Sequence, residues 1–587
     1  MQSISSKKWN FIFFALLICI AIAYNYQSIL FQRPYSLHQW RQCDCLSIAL
    51  NYYHGGMHFF SPVINWCGPN GDGKVSTSES PIIYYTVARL WKIFGYHEFI
   101  YRLLILCISF TGLFFLYRLA NLLLHDALLS IMLSLFLFAS PIFAFYANNF
   151  LPDLPALCFT IIAWYCFVCF IKTSWKSNLR LSAFFFMLAG LTKLSAVIAF
   201  MPVLLLFPIE MLGWLKLNNG KKIFDSPLKQ FRPFFFAIVI ILLWTIHAIN
   251  YNKRVGIRVF STQMFPIWQM NSVSIHNVLK SLFSFLLPQF YSVPALIVIL
   301  AIFIALVALR RKVNSFMFYI TICLLLGVLG YILLWFQVLD VHDYYLINLL
   351  VFVPCVLITF LHYLKNNHHE FFSSIKLKIF FGIFLSFNLY YTAFENRAKY
   401  PNDNSDYGVN SGHIMRQKDV DSWDWFHWHY NQTFRAYETI EDYNRNLGIN
   451  QDDKVISIPD NSVNVSLYLM NQKGFTDYYY PTMGDLTRLK QYIVLGAKYL
   501  FVNDTSFIRK DWLKPYLVHQ IGTYQNISIY NLQPHDILTE ALKGTKQSIR
   551  SDSSWISEIR AKAMTKHISV DSMLTLDALW TLKNIKK

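Results

Sequence analysis

For its first two-thirds the chain alternates long apolar runs with short polar breaks. The runs fall at 9–30, 98–119, 127–147, 153–171, 181–192, 194–212, 233–249, 291–309, 316–336, 344–363 and 379–394. A helix needs about 20 apolar residues to cross a bilayer core of ~30 Å. About eleven transmembrane helices are therefore expected. Beyond residue 395 the spanning pattern stops. Short β-rich runs at 455–458, 499–502 and 527–530 there alternate with helical stretches at 433–447 and 484–496. The expected organisation is a polytopic α-helical membrane domain over 1–395 and a soluble α/β domain over 396–587. The loop at 31–97 is unusually long and carries two helix patterns of its own, at 42–54 and 80–94. The second has an aromatic, apolar face with Arg89 and Lys92, which suits the membrane interface. Loops of this length with their own helices are usually functional.

Composition agrees with the pattern. Of 587 residues, 55% are hydrophobic and 14% charged, against about 25% charged in soluble chains. A large soluble enzyme is excluded. The net charge of +18 would suit nucleic acid, but the cations gather in alternate loops. They are Lys172/Lys176/Arg180, then Lys216/Lys221/Lys222/Lys229/Arg232, then Arg310/Arg311/Lys312, then Lys365/Lys376/Lys378. The short loops at 148–152 and 337–343 have none. By the positive-inside rule the N-terminus is cytoplasmic, the tail is outside, and no nucleic-acid partner is needed. The first run, behind Lys7 and Lys8, is read as a span rather than a signal peptide because of its length. Cys43, Cys45 and Cys67 lie in the long loop, where an oxidising compartment would favour a disulfide between Cys67 and one of the other two.

Ionisable residues cluster where spans meet the outer water. Asp44 lies in "HQWRQCDC", Glu79 in "TSESP" and Asp153 in "NNFLPDLPA". Each has a plain reading as a helix cap. Arg41 precedes Asp44 by three residues and shares its helix face, as a local ion pair also would. Arg102 opens the second span. Lys193, in "AGLTKLSA", interrupts an apolar hairpin, where a snorkelling lysine is the ordinary reading. "LDVHDYYLINLLVFVP" brings His342, Asp343, Tyr344 and Tyr345 to the tenth span. Taken together, cations suit a phosphate, and carboxylates suit a metal or a general base.

These motifs resemble the GT-C superfamily of membrane glycosyltransferases, in its protein O-mannosyltransferase and aminoarabinose-transferase branch. The resemblance covers about 35–355 and rests on "HQWRQCDCLSIALNYY", "ESPIIYYTVARLWKIFGYHEFIYRL", "NFLPDLPAL", "GLTKLSA" and "HDYYLINLLVFVP" in that order. It implies transfer of a sugar from a polyprenyl-phosphate donor to a glycan, lipid or protein acceptor outside the membrane, with inversion. It also implies that Asp44 is the base, and that Glu79 and Asp153 help bind donor, acceptor or a divalent metal ion. Arg41, Arg102, Lys193, His342 and Tyr345 would hold the substrate. Two departures set the chain apart from both branches. Asp44 is flanked by Cys43 and Cys45 rather than by a second acid, and Ser80 stands where the aminoarabinose branch has a lysine. The topology and the resemblance together imply a bacterial inner membrane with a periplasmic tail. The alternative is a transporter or flippase of the same lipid-linked sugar. That reading predicts binding groups at the midplane with paths to both sides, whereas here they lie on one side. A receptor whose tail is the active part is a third reading, which leaves the acid cluster unexplained.

Overall fold

The computed structural model describes the backbone everywhere except residues 1, 76, 216, 218–221, 257–258, 260–263, 401–413, 479–485, 533–534 and 584–587. Lys216 and Lys221 therefore lie outside the described residues. Side chains are also left undescribed at 2–6, 486–488, 535–541 and 583. The chain forms two compact units. The first is Met1–His38 with Ser76–Asp424, and the second is Gln39–Val75 with Trp425–Lys587. The boundary at 395 marks where apolar spans end. Side-chain packing, not hydropathy, sets the units, and it gives part of the long loop to the second.

The first unit is that of an integral membrane protein. Among the described residues seven helices are long and apolar enough to cross a membrane, or nine if each of two bent pairs is one span. All nine fall at runs expected to span. The run at 127–147 is broken into Ala127–Phe138 and Pro141–Ala147, bent by 78°. Pro141 lacks the amide hydrogen that would continue the first helix. A 92° bend separates Ser272–Phe290 from Val293–Ala308, with Pro294 in the first turn of the latter. The expected span at 181–192 becomes Lys176–Thr192. Its 17 residues rise about 26 Å, short of the ~30 Å core. The expected first span, 9–30, is divided between the end of Gln2–Ala23 and the short helix Tyr26–Ile29, with Asn25 in the left-handed region (φ 62°) between them. Asp153–Thr173 and Asp343–Asn367 form the interior, 78% and 72% buried over their most apolar stretch. Ser315–Leu334 and Ile375–Ala398, at 22% each, present most of their surface outward. Both interior helices thus begin with an aspartate.

The second unit is built on a five-stranded sheet in the order β2-β1-β3-β5-β4. The strands are β1 (Lys454–Ile458), β2 (Lys473–Phe475), β3 (Ala497–Val502), β4 (Gln520–Tyr524) and β5 (Ile527–Asn531). β1 runs parallel to β2 and β3, and β5 is antiparallel to β3 and β4. Gly474 sits so close to β1 that a Cβ would lie 2.0 Å from the Val455 carbonyl oxygen, so only glycine fits there. The outer edge of β2 is covered by the loop. Cys67 N donates to Gly474 O (2.6 Å) and Gly474 N to Asn65 O (3.0 Å). The loop helices expected at 42–54 and 80–94 are Gln39–His54, in this unit, and Ile82–Phe94, in the first.

The expected disulfide is not formed: among the described residues no bridge joins Cys67 to Cys43 or Cys45. Cys67 packs in the sheet core with Ile456, Phe475 and Leu500, while Cys43 and Cys45 ride on Gln39–His54. Burial pushes the Cys67 thiol up to about 11, which leaves little thiolate for exchange. Non-reducing peptide mapping is expected to recover all three without a bridge. A Cys67 crosslink would overturn this.

Candidate functional site

In the first unit, helix lengths bring the charged groups together. Asp153–Thr173 and Lys176–Thr192 form a hairpin of 21 and 17 residues. At 1.5 Å per residue the second returns close to the level at which the first began. Lys193 caps its end in extended conformation (φ −155°, ψ 122°). Lys193 Nζ lies 2.9 Å from Asp153 Oδ1 and 3.9 Å from Glu79 Oε2. The ammonium also faces the rings of Tyr344 and Tyr345, at 5.6 and 5.4 Å from their centroids, within cation–π range. Asp153 is fully buried, and among the described residues neither of its oxygens accepts a well-aligned hydrogen bond. Lys193 is its charge partner.

Glu79 is placed by residues that hydropathy does not single out. It accepts from Ser78 Oγ and Tyr84 OH, both at 2.8 Å. Its segment is held by paired bonds between Thr77 and Asn252 (2.7 and 2.9 Å), by Trp244 Nε1 donating to Ser78 O, and by Ser80 N donating to Leu191 O. The last bond ties the Glu79 segment to the turn that carries Lys193.

A second group adjoins the tyrosines. Asp343 and its neighbours wind as a 3-10 helix, Asp343–Val351, rather than as the α-helix expected. Such turns are frequent at the N-terminus of a helix, here the first nine residues of the span Asp343–Asn367. Asp343 Oδ1 lies 2.9 Å from His38 Nε2 and accepts from Tyr146 OH at 2.6 Å. His38 stacks on His342 (5.7 Å, 15°) and meets Tyr344 edge-on, and His342 meets Tyr345. Tyr146, Tyr84, Trp244 and Asn252 were missed from sequence. Polar tips on apolar helices were the only signal for them.

Arg102 is elsewhere. It is fully buried, donates to the carbonyls of Gln32, Arg33 and Asn148, and stacks over Phe150 at 4.1 Å. Glu79 and Asp153 do not fit a divalent ion. They share an ammonium, which takes the place a metal would fill. Among the described residues no group of three or more His, Cys, Asp or Glu converges on a point.

Asp44 belongs to the second unit. It lies in the second turn of Gln39–His54, past any cap position, and is buried. Burial pushes its carboxyl up to about 7; the Arg41 charge and the Asn464 side chain pull it down, and the Asp460 carboxylate raises it. Its Oδ1 has no hydrogen-bond partner among the described residues. Asn464 Nδ2 donates to Cys43 O at 3.4 Å. Asp460 accepts from the backbone and hydroxyl of Ser462 and of Ser466, and Asp477 Oδ1 accepts from Asp460 N at 2.5 Å. Burial raises Asp477 to about 6. Sequence reasoning found Asp44 and Arg41 and missed Asn464, Asp460 and Asp477.

No family model matches the chain, and no curated protein matches it. Solved structures do. ArnT from Cupriavidus metallidurans in the apo state is similar over 90% of this chain and 98% of its own, with a TM-score of 0.52 and 11% identity. ArnT bound to undecaprenyl phosphate is similar over 89% and 98%, again at 0.52 and 11%. The oligosaccharyltransferase of Archaeoglobus fulgidus in complex with Zn and sulfate is similar over 82% and 67%, at a TM-score of 0.45 and 12% identity. The chain has an ArnT-like fold, as the GT-C resemblance implies.

Proposed function

We propose that this protein transfers a sugar from a polyprenyl-phosphate donor to an acceptor hydroxyl on the outer face of the membrane, with inversion at the anomeric carbon. The observation that carries this is the partly buried Lys193 ammonium, held between Asp153, Glu79 and two tyrosine faces at the ends of apolar helices. An ammonium has three N–H donors. Asp153 is near enough to take one, while Glu79 at 3.9 Å is beyond hydrogen-bond reach. Donors remain for a phosphate oxygen. An undecaprenyl-phosphate complex of ArnT supports the donor class.

In the proposed reaction the acceptor oxygen attacks the anomeric carbon from the face opposite the phosphate. The bond from that carbon to the phosphate oxygen breaks, and its electron pair leaves with the polyprenyl phosphate. Lys193 stabilises the charge gathering on that oxygen, as an oxyanion site does. Asp153 positions Lys193, and Tyr345 and His342 wall the phosphate's place. Asp44 takes the proton of the acceptor hydroxyl, and a base near 7 matches that task at neutral pH. One displacement gives inversion.

The test uses purified full-length protein in nanodiscs with a panel of polyprenyl-phosphate sugars and glycan, lipid and peptide acceptors. Release of polyprenyl phosphate is expected with at least one donor. Movement of donor between leaflets without release would establish a flippase instead.

The proposed sidedness rests on the loop cations. Asp511 is 91% exposed, so an Asp511→Cys variant should be labelled in intact cells by an impermeant maleimide. No labelling, beside a labelled outer control, would invert the topology.

A further inference from the structure

Within the second unit, the helix Gln39–His54 and the sheet line an open cavity of about 280 Å³. Five carboxamides line it, from Asn51, Asn65, Gln451, Asn471 and Gln472, together with His54 and an opposed pair, Lys473 and Asp452. The amides are fixed by one another, by main chain and by the side chains of Ser47, Arg445 and Glu441, whose Oε1 accepts from Asn471 Nδ2 at 2.6 Å. Asn51 Nδ2 donates to Asn65 Oδ1 (2.9 Å), which also accepts from Ser47 Oγ (2.8 Å). Asn65 Nδ2 donates to Gln472 O at 3.1 Å. Gln472 Nε2 donates to Asn450 O and Asp453 O, and its Oε1 accepts from Arg445. Gln451 Nε2 donates to Asn471 Oδ1 at 3.1 Å. Asn471 holds a left-handed conformation (φ 49°).

The chemistry of these walls is selective. Lys473 lies 3.6 Å from Asp452, so there is no excess of cation for a phosphate or nucleotide. Beside Gly55, Leu50 brings the one apolar side chain to the lining, too little for a lipid chain. The adjoining edge of β2 is already covered by residues 65–67, so a peptide cannot add as a strand. Fixed amides present donor and acceptor side by side, and that pattern complements vicinal hydroxyls, each of them both donor and acceptor. The volume is at the small end for ligand pockets (~300–1,000 Å³), which fits sugar rings rather than a polypeptide.

We infer that this cavity binds a saccharide, and that, on the transferase reading above, it holds the glycan of the acceptor. Asn51 follows Asp44 by seven residues on one helix. That spacing puts both on the same face, about 10.5 Å apart along the axis. A sugar held at Asn51 leaves a neighbouring ring of the same glycan to offer its hydroxyl to Asp44.

Saturation-transfer NMR tests this on the full-length protein in nanodiscs. The probes are maltose, cellobiose, lactose and di-N-acetylchitobiose, with tetra-alanine and inorganic phosphate as separate arms. The variant is Gln451→Ala with Asn471→Gly, in which glycine keeps the left-handed backbone and removes the amide. At least one disaccharide should be saturated by the wild type and lose at least about 10-fold in affinity in the variant, with an unchanged unfolding midpoint. The inference is overturned if no disaccharide is saturated, if the variant binds equally, or if tetra-alanine or phosphate alone responds to the variant. Saccharide binding without any polyprenyl-phosphate release would sink the transferase reading alone, and release without pocket-dependent saccharide binding would sink the pocket alone.

Discussion

Replacing Asp44 with asparagine is expected to lower sugar transfer at least ~10²-fold, the usual lower range for loss of a general base, while donor binding and protein yield stay near wild type. Asparagine keeps the shape and one hydrogen-bonding oxygen but cannot take a proton. A cap would tolerate the change, but Asp44 lies past the cap positions of its helix. The pH dependence gives a second readout. The base must be ionised, and burial raises its pKa to about 7. The acceptor kcat/KM should therefore climb with pH and level off above about 7, rather than near the ordinary aspartate range around 4. The stability effect has a definite sign. The folded state binds this proton more tightly than the unfolded state does, so its contribution is full below about 4 and is lost as pH rises through about 7. The variant, with nothing to ionise, should gain in unfolding midpoint over wild type at pH 8 compared with pH 5. Turnover above about a tenth of wild type would remove Asp44 from the role of base.

Lys193→Met is expected to weaken donor binding by about 10- to 100-fold, the worth of a charge-assisted contact of roughly 1.5–3 kcal/mol. Methionine keeps most of the aliphatic stem and loses the charge. It also strands Asp153, which is fully buried, and a buried charge without its partner is strongly destabilising. The double variant Lys193→Met with Asp153→Asn removes that complication. It should recover yield without recovering affinity, measured as equilibrium binding of polyprenyl phosphate in nanodiscs. Wild-type affinity in a folded double variant would make Lys193 a structural lysine. Arg102→Met is a useful contrast. Its guanidinium holds three main-chain carbonyls, so the expected loss is of folded protein rather than of donor affinity.

Much of this was legible in the chain. Apolar runs of spanning length marked the membrane helices, and the aspartates before "LPAL" and "YYLINLL" fell at the first residues of the two interior helices. Other features were present in the sequence but carried too little weight. Pro141 breaks a run that an average over many residues reads as continuous. β2 and β4 escaped notice because one is three residues long and the other has no buried residue, with no alternation to read. The Cys67 disulfide was a reading of compartment and position. Packing overrides it by placing that sulfur in the sheet core.

The sequence by itself determined that this is a membrane protein, where its helices run, and which ionisable groups it carries into them. Those properties depend on composition over a window of about 20 residues, which any stretch of chain displays on its own. Only the tertiary structure decided how the groups are shared. It gave Lys193 to both Asp153 and Glu79, joined His38 to Asp343, withdrew Arg102 to main-chain carbonyls, and set Asp460 and Asn464 beside Asp44. Asn464 and Cys43 are 421 positions apart. Nothing local encodes such a meeting. It follows from how the helix Gln39–His54 packs in the second unit, and that packing raises the Asp44 pKa and forms one wall of the amide-lined cavity.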